Sequence, residues 1–234
     1  MYGLKANYTS RTEPAYFEDA LPDSTAWQAN VYRQAAHLAR QVGIKRLVDI
    51  GCGRGGKLAA YANSFAIAGI DYGSNIDECI RLYPDGQWVS LDLNAQVIAA
   101  DAFRHSVAIC ADVIEHLPTP EALLQTLLQA SKSAAYVLVS TPDRLRVYGG
   151  LDHDGPPGNP YHVREWSHIE LEALFLAQGL PVRWSGWTIS NEIRPDQVWT
   201  SLIIISNQYR VGSMPSVFEP APHWRTAIQP QVIE

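Results

Sequence analysis

The sequence has few of the residues that stabilise disulfide-rich or zinc-binding domains. It contains three cysteines among 234 residues, Cys52, Cys79 and Cys110, and their spacing does not match that of metal-ligating cysteines. Cys110 lies in an apolar run, where we expect a small core residue. Unpaired cysteines of this kind are typical of reduced cytosolic proteins, so we expect a cytoplasmic location and no metal site.

Long apolar runs and runs of like charge are also missing. Apolar stretches such as residues 134–139 and 202–205 suit buried strands and are too short to cross a membrane. Residues 1–19 lack the apolar centre of a signal peptide. The formal net charge is −6, and no run of Lys or Arg offsets it. We therefore expect a soluble protein without a membrane or nucleic-acid partner.

What the sequence does contain is an alternation of short apolar runs with helical patterns. This alternation is typical of βαβ units around a parallel sheet, so the predicted fold class is a doubly wound α/β fold. Seven strands are predicted, at residues 46–50, 65–70, 88–91, 106–111, 135–140, 182–189 and 198–205. Helices are predicted at residues 25–42, 57–61, 74–82, from 118 onward, and at 166–179.

The same patterns divide the chain into a main domain and three accessory segments. We expect the domain to span residues 25–207, after an N-terminal segment at 1–24. Residues 143–165 are rich in proline and glycine and are predicted to be an insertion. Residues 208–234 are predicted to be an irregular tail.

The densest motif is the glycine-rich turn that follows the first predicted strand. Gly51, Gly53 and Gly56 satisfy the pattern G-x-G-x-x-G. Glycines allow the backbone to approach a ligand closely, and the next helix offers free N–H groups to an anion. Asp71 ends the second apolar run, where a carboxylate can accept hydrogen bonds from ribose hydroxyls. The motif predicts an adenosine-containing cofactor, and alone it would also fit an NAD-dependent oxidoreductase.

Further acids follow the other predicted strands. Asp49 lies within the first strand, Asp92 follows the third, and Asp112 follows the fourth, in Asp-Val-Ile-Glu-His-Leu. In this order the motifs resemble class I S-adenosylmethionine-dependent methyltransferases, over about residues 31–207. The resemblance implies a mostly parallel, seven-stranded sheet with a C-terminal antiparallel hairpin. It also implies S-adenosylmethionine as the cofactor and a substrate side at the insertion of residues 143–165. Residues 1–24 would fold over the cofactor as a lid, with packing against the sheet edge as the alternative.

The resemblance further implies a set of cofactor contacts. From the methionine end to the adenine these would be Asp49, Gly51, Cys52, Gly53, Asp71, Tyr72, Asp92 and Leu93, with Asp112 facing the sulfonium and the acceptor. Structural alternatives remain open for several of them. Asp71 or Asp92 could be a helix cap or turn residue, Asp49 could be a buried acid bound by loop amides, and Cys52 could be only a small side chain.

Two histidines are candidates for the base that removes a proton from the acceptor. His116 follows the fourth strand, and His162 ends the insertion in Tyr-His-Val-Arg-Glu-Trp-Ser, an element that resembles one flanking the acceptor site in some small-molecule and sugar-type methyltransferases. Glu115, Arg164 and Trp166 are candidate substrate-binding residues. For Glu115 the alternative is a solvated loop carboxylate, and for the others it is a structural role, since Ser167 with Glu170 has the spacing of a capping box.

The resulting expectation is methyl transfer to an oxygen or nitrogen of a small molecule, either a sugar or a compound like a natural product. Rival functions are an NAD-dependent oxidoreductase, a nucleic-acid methyltransferase, and a catalytically silent member of the fold that only binds the cofactor. The acidic and imidazole side chains of residues 152–154 could suggest a metal, but we expect a solvated loop there. A homodimer is possible.

Overall fold

In the computed structural model of the chain, residues 2–13, 15–20, 24–147, 149–191, 193 and 199–225 are described. The strands are β1 (Arg46–Ile50), β2 (Ala66–Asp71), β3 (Gln87–Ser90), β4 (Val107–Ala111), β5 (Tyr136–Pro142), β6 (Val182–Ile189), β7 (Trp199–Ile205) and β8 (Phe218–Pro220). The α-helices are α1 (Ala29–Gln41), α2 (Gly56–Ala59), α3 (Ser74–Leu82), α4 (Glu121–Ser133), α5 (Arg144–Val147), α6 (His168–Ala177) and α7 (Pro222–Arg225).

These strands form a single sheet in the order β3-β2-β1-β4-β5-β7-β6-β8. The pairs among β1 to β5 are parallel, whereas β7 is antiparallel to both β5 and β6. The predicted α/β class and the antiparallel C-terminal hairpin are therefore confirmed. The seven predicted strands all form, with ends that differ from the prediction by at most two residues, although Val198 lies outside the described residues.

The C-terminal segment departs from the prediction of an irregular tail. Residues Phe218–Pro220 form the eighth strand, which pairs antiparallel with β6. Gly186 of β6 makes this pairing possible, since a Cβ atom there would collide with the backbone oxygen of Glu219. The sheet consequently has one strand more than predicted.

Two apolar layers cover the faces of the sheet. Strand β4 shows why, because its side chains alternate between the faces. Val107 and Ile109 pack in the layer beneath α1, whereas Ala108 and Cys110 pack in the layer beneath α4. Cys110 is fully buried, which confirms the prediction of a small core residue.

The N-terminal segment and the insertion are joined to each other. The backbone N–H of Thr9 donates to the oxygen of Asp154 at 2.7 Å, and that of Arg11 donates to the oxygen of Val163 at 2.7 Å. Lys5 Nζ lies 2.8 Å from a carboxylate oxygen of both Asp152 and Asp154. Asp152 and Asp154 are exposed in a loop, as predicted, and both pair with this cation from the N-terminal segment.

Helix ends and helix lengths follow from local sequence. Helix α6 is capped by Ser167. The Ser167 side chain accepts from the backbone of Glu170, while the Glu170 side chain accepts from the backbone of Ser167, so the predicted capping box is present.

Across the part of the chain that the structure describes, none of the helices combines the length and the apolarity that a bilayer crossing requires.

Candidate functional site

A cavity of about 680 Å³ opens at the edge of the sheet where the parallel strands have their C-terminal ends. Its volume is in the range of ligand pockets that hold a drug-sized molecule. Eight of the sequence-predicted residues line it: Gly51, Gly53, Asp71, Tyr72, Leu93, Asp112, His116 and His162. Six others do not reach its lining: Asp49, Cys52, Asp92, Glu115, Arg164 and Trp166.

The glycine loop forms one wall of the cavity because side chains are excluded there. Gly51 has a φ of +77° and Gly53 a φ of +54°, in the left-handed region that favours glycine. A Cβ atom at Gly51 would collide with Val113, and one at Gly53 would collide with Asp19. The loop therefore presents bare backbone to the cavity.

Asp71 holds this loop in place from the end of β2. One carboxylate oxygen accepts from the backbone N–H of Gly53 at 2.8 Å, and the other accepts from that of Tyr72 at 2.8 Å. Burial raises the pKa of Asp71, although these hydrogen bonds oppose the rise. The oxygen bound by Tyr72 also accepts from Nδ2 of Asn75 at 3.4 Å, whereas the oxygen bound by Gly53 keeps a second acceptor position for a ligand hydroxyl group.

Asp49 and Cys52 lie behind the glycine loop, which corrects the expectation that they line the cofactor site. Asp49 is fully buried and accepts from the hydroxyl of Tyr32 at 2.6 Å. Burial raises the pKa of Asp49 to about 7. The Cys52 thiol is buried with Ile76 and Cys79, so it serves as a small packing residue. Both residues support the loop from below.

The predicted adenine region is divided between residues that reach the cavity and one that does not. Leu93 and Asn94 line it, whereas Asp92 lies just outside. A carboxylate oxygen of Asp92 accepts from the backbone N–H of Asn94 at 2.9 Å, as in an Asx turn. The structural alternative that the sequence left open for Asp92 is the one observed.

Asp112 lies at the base of the cavity, immediately after β4. Its φ of +54° is unusual for a residue other than glycine. Both of its carboxylate oxygens accept from Nε2 of Gln28, at 2.7 and 2.8 Å. Burial raises the pKa of Asp112, against the opposing effects of Lys57 and of the Gln28 amide. Gln28 was not predicted, because a glutamine before a helix carries no sequence signal for such a contact.

The two predicted histidines meet at the opposite wall of the cavity. Their ring centroids lie 4.9 Å apart with nearly perpendicular planes. His162 Nδ1 lies 2.6 Å from a carboxylate oxygen of Glu165, and its Nε2 lies 2.9 Å from the side-chain amide of Asn159. Because an ionised carboxylate only accepts, Nδ1 carries the proton and Nε2 keeps its lone pair. Glu165 was missed as a site residue, although the spacing of three residues from His162 was visible.

His116 differs from His162 in its partners and its basicity. Its Nδ1 lies 2.9 Å from the backbone oxygen of Tyr161, which can only accept, so Nδ1 carries the proton. Burial and the neighbouring His162 lower the pKa of His116 to about 3. The ring is therefore neutral at neutral pH, and its Nε2 is a weak base that still offers a lone pair to an electrophile.

Glu115 forms a group of three possible metal ligands with His116 and His162, which the sequence did not predict. Its carboxylate is fully buried, and one oxygen accepts from the hydroxyl of Thr141 at 2.8 Å. The other oxygen has no hydrogen-bond partner among the described residues. Ligand atoms of Glu115, His116 and His162 all lie within 4.8 Å of one another. Carboxylate and imidazole ligands suit divalent transition metals, so the residues fit such an ion.

Arg164 and Trp166 have structural roles, which corrects their assignment to substrate binding. The guanidinium of Arg164 is buried and donates to the backbone oxygens of Leu117 at 2.9 Å and Pro118 at 2.8 Å. Trp166 is fully buried, and its indole N–H donates to the backbone oxygen of Tyr2 at 2.8 Å. Both side chains hold the insertion and the N-terminal segment against the loop that follows β4.

Aromatic residues of the N-terminal segment reach the cavity. The ring of Phe17 lies 5.3 Å from that of His116 and 5.5 Å from that of Tyr161, measured between centroids. The hydroxyl of Tyr16 donates to the backbone oxygen of Tyr72 at 2.9 Å. Phe17 thus lies beside His116, whereas Tyr16 lies beside Tyr72, with 5.2 Å between their ring centroids.

Comparison with known proteins adds a family. Residues 23–183, more than half of the chain, match a family model described as a methyltransferase domain. The ubiquinone biosynthesis O-methyltransferase of Pectobacterium atrosepticum is 30% identical over 105 residues, which are 43% of this chain and 44% of that protein. The enzyme of the same description from Aeromonas salmonicida is 26% identical over 181 residues, which are 72% of this chain and 71% of that protein. The chain thus spans less than half the length of the first of these relatives.

Two solved structures show the same fold. The methyltransferase domain of bacterial CtHen1 superposes with a TM-score of 0.51 at 22% identity, covering 75% of this chain and 96% of that one. The plantazolicin methyltransferase BpumL, in complex with a pentazolic desmethylPZN analog and SAH, superposes with a TM-score of 0.58 at 15% identity, covering 81% of this chain and 87% of that one. At these identities the likeness concerns the fold alone.

Proposed function

This chain belongs to the S-adenosylmethionine-dependent methyltransferases of the class I fold, and we propose that it transfers the methyl group of that cofactor to a hydroxyl oxygen of a small organic acceptor. The observation that carries the proposal is the position of His162. This histidine is backed by Glu165 and lines the same cavity as the glycine loop. A cofactor-binding loop and a candidate base therefore face one cavity.

We assign the cofactor to the side of the cavity formed by β1 and β2. Asp71 would accept hydrogen bonds from the ribose hydroxyls, with Tyr72 and Leu93 beside the adenine. The methionine portion would follow the backbone of Gly51 and Gly53, both of which line the cavity. Lys57 lines the same part of the cavity and would face the methionine carboxylate.

The acceptor would occupy the side formed by the histidines and the N-terminal aromatic residues. Nε2 of His162 takes the proton of the hydroxyl group, in place of the hydrogen bond that it accepts from Asn159. The acceptor oxygen then forms a bond to the methyl carbon as the carbon–sulfur bond breaks. The electron pair of the broken bond passes to sulfur. Alignment of these atoms contributes about 7 kcal/mol or more in well-oriented systems, and a positioned base adds about 10²- to 10⁴-fold.

A divalent cation is a second means of activating the hydroxyl group. The observation that favours it is the unpartnered, buried oxygen of Glu115 beside His116 and His162. Bound there, such an ion would lower the pKa of a coordinated hydroxyl. In this alternative the low pKa of His116 is an advantage, because a neutral imidazole keeps its lone pair free for the metal.

The acceptor class follows from the walls of the cavity. Phe17, Leu117, Pro118 and Val147 line its acceptor side, so an acceptor with an apolar body and at least one hydroxyl group fits best. The curated relatives are O-methyltransferases of ubiquinone biosynthesis, which supports oxygen as the receiving atom. These walls suit a compound like a natural product better than a sugar.

A panel assay separates this proposal from its rivals. The protein is incubated with S-adenosylmethionine and with phenols, hydroxylated acids, sugars and amines, and methylated products are sought by mass spectrometry. We expect methylation of a hydroxylated compound with an apolar body, and loss of that activity in His162→Gln. Tight cofactor binding without turnover over the whole panel would favour a catalytically silent protein. Binding of NADH but not of S-adenosylmethionine would favour an oxidoreductase.

A further inference from the structure

Gln28 and Asp112 form an unusual pair at the base of the cavity. Both have a positive φ, +59° for Gln28 and +54° for Asp112, and neither is a glycine. Gln28 is fully buried and is the residue immediately before helix α1. Such backbone conformations cost free energy and persist only where the surroundings hold them.

The surroundings of Gln28 fix the direction of its side-chain amide. Its Oε1 accepts from the hydroxyl of Ser140 at 3.1 Å, so Nε2 must point away from Ser140. That nitrogen then donates to both oxygens of Asp112, at 2.7 and 2.8 Å. The backbone N–H of Asp112 donates to the oxygen of Ser140 at 3.0 Å, and that of Gln28 donates to the oxygen of Ser190 at 2.6 Å. The three side chains form a closed arrangement in which both carboxylate oxygens act as acceptors.

Asp112 lies where the methionine part of the cofactor would meet the acceptor. Its neighbour Val113 packs against Gly51, so the glycine loop is on one side. His116 and His162 line the same cavity as Asp112. During the proposed reaction the sulfur in this region changes from a positively charged sulfonium to a neutral thioether, because it receives the electron pair of the broken carbon–sulfur bond.

We infer that Gln28 is a positioning residue, which holds the Asp112 carboxylate in place near the cofactor sulfur. The negative charge of this carboxylate favours binding of the sulfonium cofactor over binding of its thioether product. The inference rests on the proposed function. A carboxylate held close to the sulfonium attracts the cofactor, and the attraction is lost once the methyl group has left. The same contact would thus discriminate between S-adenosylmethionine and S-adenosylhomocysteine and would assist release of the product.

The test is the ratio of two dissociation constants in Gln28→Met, which keeps the length of the side chain and removes both N–H donors. We expect the affinity for S-adenosylmethionine to fall by about tenfold, the value of one hydrogen bond to a charged group. The affinity for S-adenosylhomocysteine should change by less than about twofold, as no charge faces its sulfur. Asp112→Asn should shift the ratio in the same direction. A purely structural role would weaken both ligands equally and leave the ratio unchanged.

Gln34, which lies in helix α1 six residues after Gln28, provides a matched control. Gln34 is also buried, but its amide lies against Met214 Sδ at 3.1 Å and not against the cavity. Gln34→Met should leave the ratio of the two dissociation constants unchanged. If Gln28→Met does not fold, Ser140→Ala replaces it, because loss of that hydroxyl frees the Gln28 amide to turn. An unchanged ratio in the folded variant would overturn the inference.

Failure of the proposed function gives a different result. A wild-type protein that binds neither ligand contradicts the cofactor site itself. A wild-type protein that binds both ligands and methylates an acceptor, with a ratio that no Gln28 or Ser140 variant changes, contradicts only the role of Gln28.

Discussion

Glu165 Oε1 lies 2.6 Å from Nδ1 of His162, and the backbone of the same insertion ties both residues to the loop after β4. The link is the N–H of Val163, which donates to the backbone oxygen of Glu115 at 2.6 Å. A carboxylate in this position orients the ring and leaves Nε2 to act on a ligand in the cavity. The proposed chemistry depends on this relationship.

The first prediction concerns His162 as the base. His162→Gln should reduce kcat by about 10²- to 10⁴-fold, because the variant has no positioned base to take the proton of the acceptor's hydroxyl group. The dissociation constant for S-adenosylmethionine should stay close to the wild-type value, since His162 lies on the acceptor side. Single-turnover kinetics and calorimetry check the two parts. A variant that keeps wild-type kcat would exclude His162 as the base.

Asp71 provides the second prediction. Asp71→Ala removes the ribose acceptor and releases the N–H groups of Gly53 and Tyr72, so the affinity for S-adenosylmethionine should fall by about 10- to 100-fold. Asp101→Ala is the matched control, because that acid is exposed and pairs only with Arg104 in the observed contacts. Calorimetric titration gives both constants. Near-native binding by Asp71→Ala would remove the ribose assignment.

Metal binding at Glu115, His116 and His162 is tested without turnover. After chelation and dialysis, addition of Mn²⁺ should raise the Tm of the wild-type protein, because a ligand that binds only the folded state stabilises it. Glu115→Gln should lose this shift, and Asp77→Asn, a change at an exposed acid on α3, should keep it. If Mn²⁺ leaves the wild-type Tm unchanged, activation rests on His162 alone.

Asp49 predicts a pH dependence of stability. Burial raises its pKa to about 7 in the folded protein, above the value of an exposed carboxyl group. Between the unfolded and the folded pKa, the native state binds more protons, so this group's contribution to the free energy of unfolding falls as pH rises from about 4 to about 7. Its magnitude is on the order of a few kcal/mol.

Asp49→Asn isolates that contribution from those of the other buried acids. The variant cannot ionise at this position, so its free energy of unfolding should decline less over the same pH interval. Urea denaturation at several pH values measures the difference. Parallel curves for wild type and variant would contradict a raised pKa for Asp49.

The fold could be predicted from the sequence to a large extent because each strand carries its own apolar run. Strand β6 has the predicted bounds, and the residues that end β2 and β4 reach the cavity as expected. Strand β8 could not be predicted, since its three residues end in a proline and are stabilised by pairing with β6 near Gly186. Its formation depends on a distant strand rather than on local sequence.

Site residues whose role follows from their backbone position could be predicted from the sequence. Contacts between side chains that lie far apart in the sequence were harder to predict. Asp71 and the glycines lie at strand ends, so their placement follows from topology. The sequence predicts substrate contacts for Arg164 and Glu115, but Arg164 donates to backbone oxygens and the buried Glu115 carboxylate does not line the cavity. The contact of Gln28 with Asp112 joins residues far apart in the chain and has no local signature.

A crystal structure with S-adenosylhomocysteine and a hydroxylated acceptor tests the central claim most directly. The account predicts the ribose at Asp71, the sulfur between Asp112 and the histidines, and the acceptor oxygen within hydrogen-bonding distance of His162 Nε2 or of a metal ion beside it. A cofactor bound elsewhere, or one whose sulfur points away from both histidines, would contradict it.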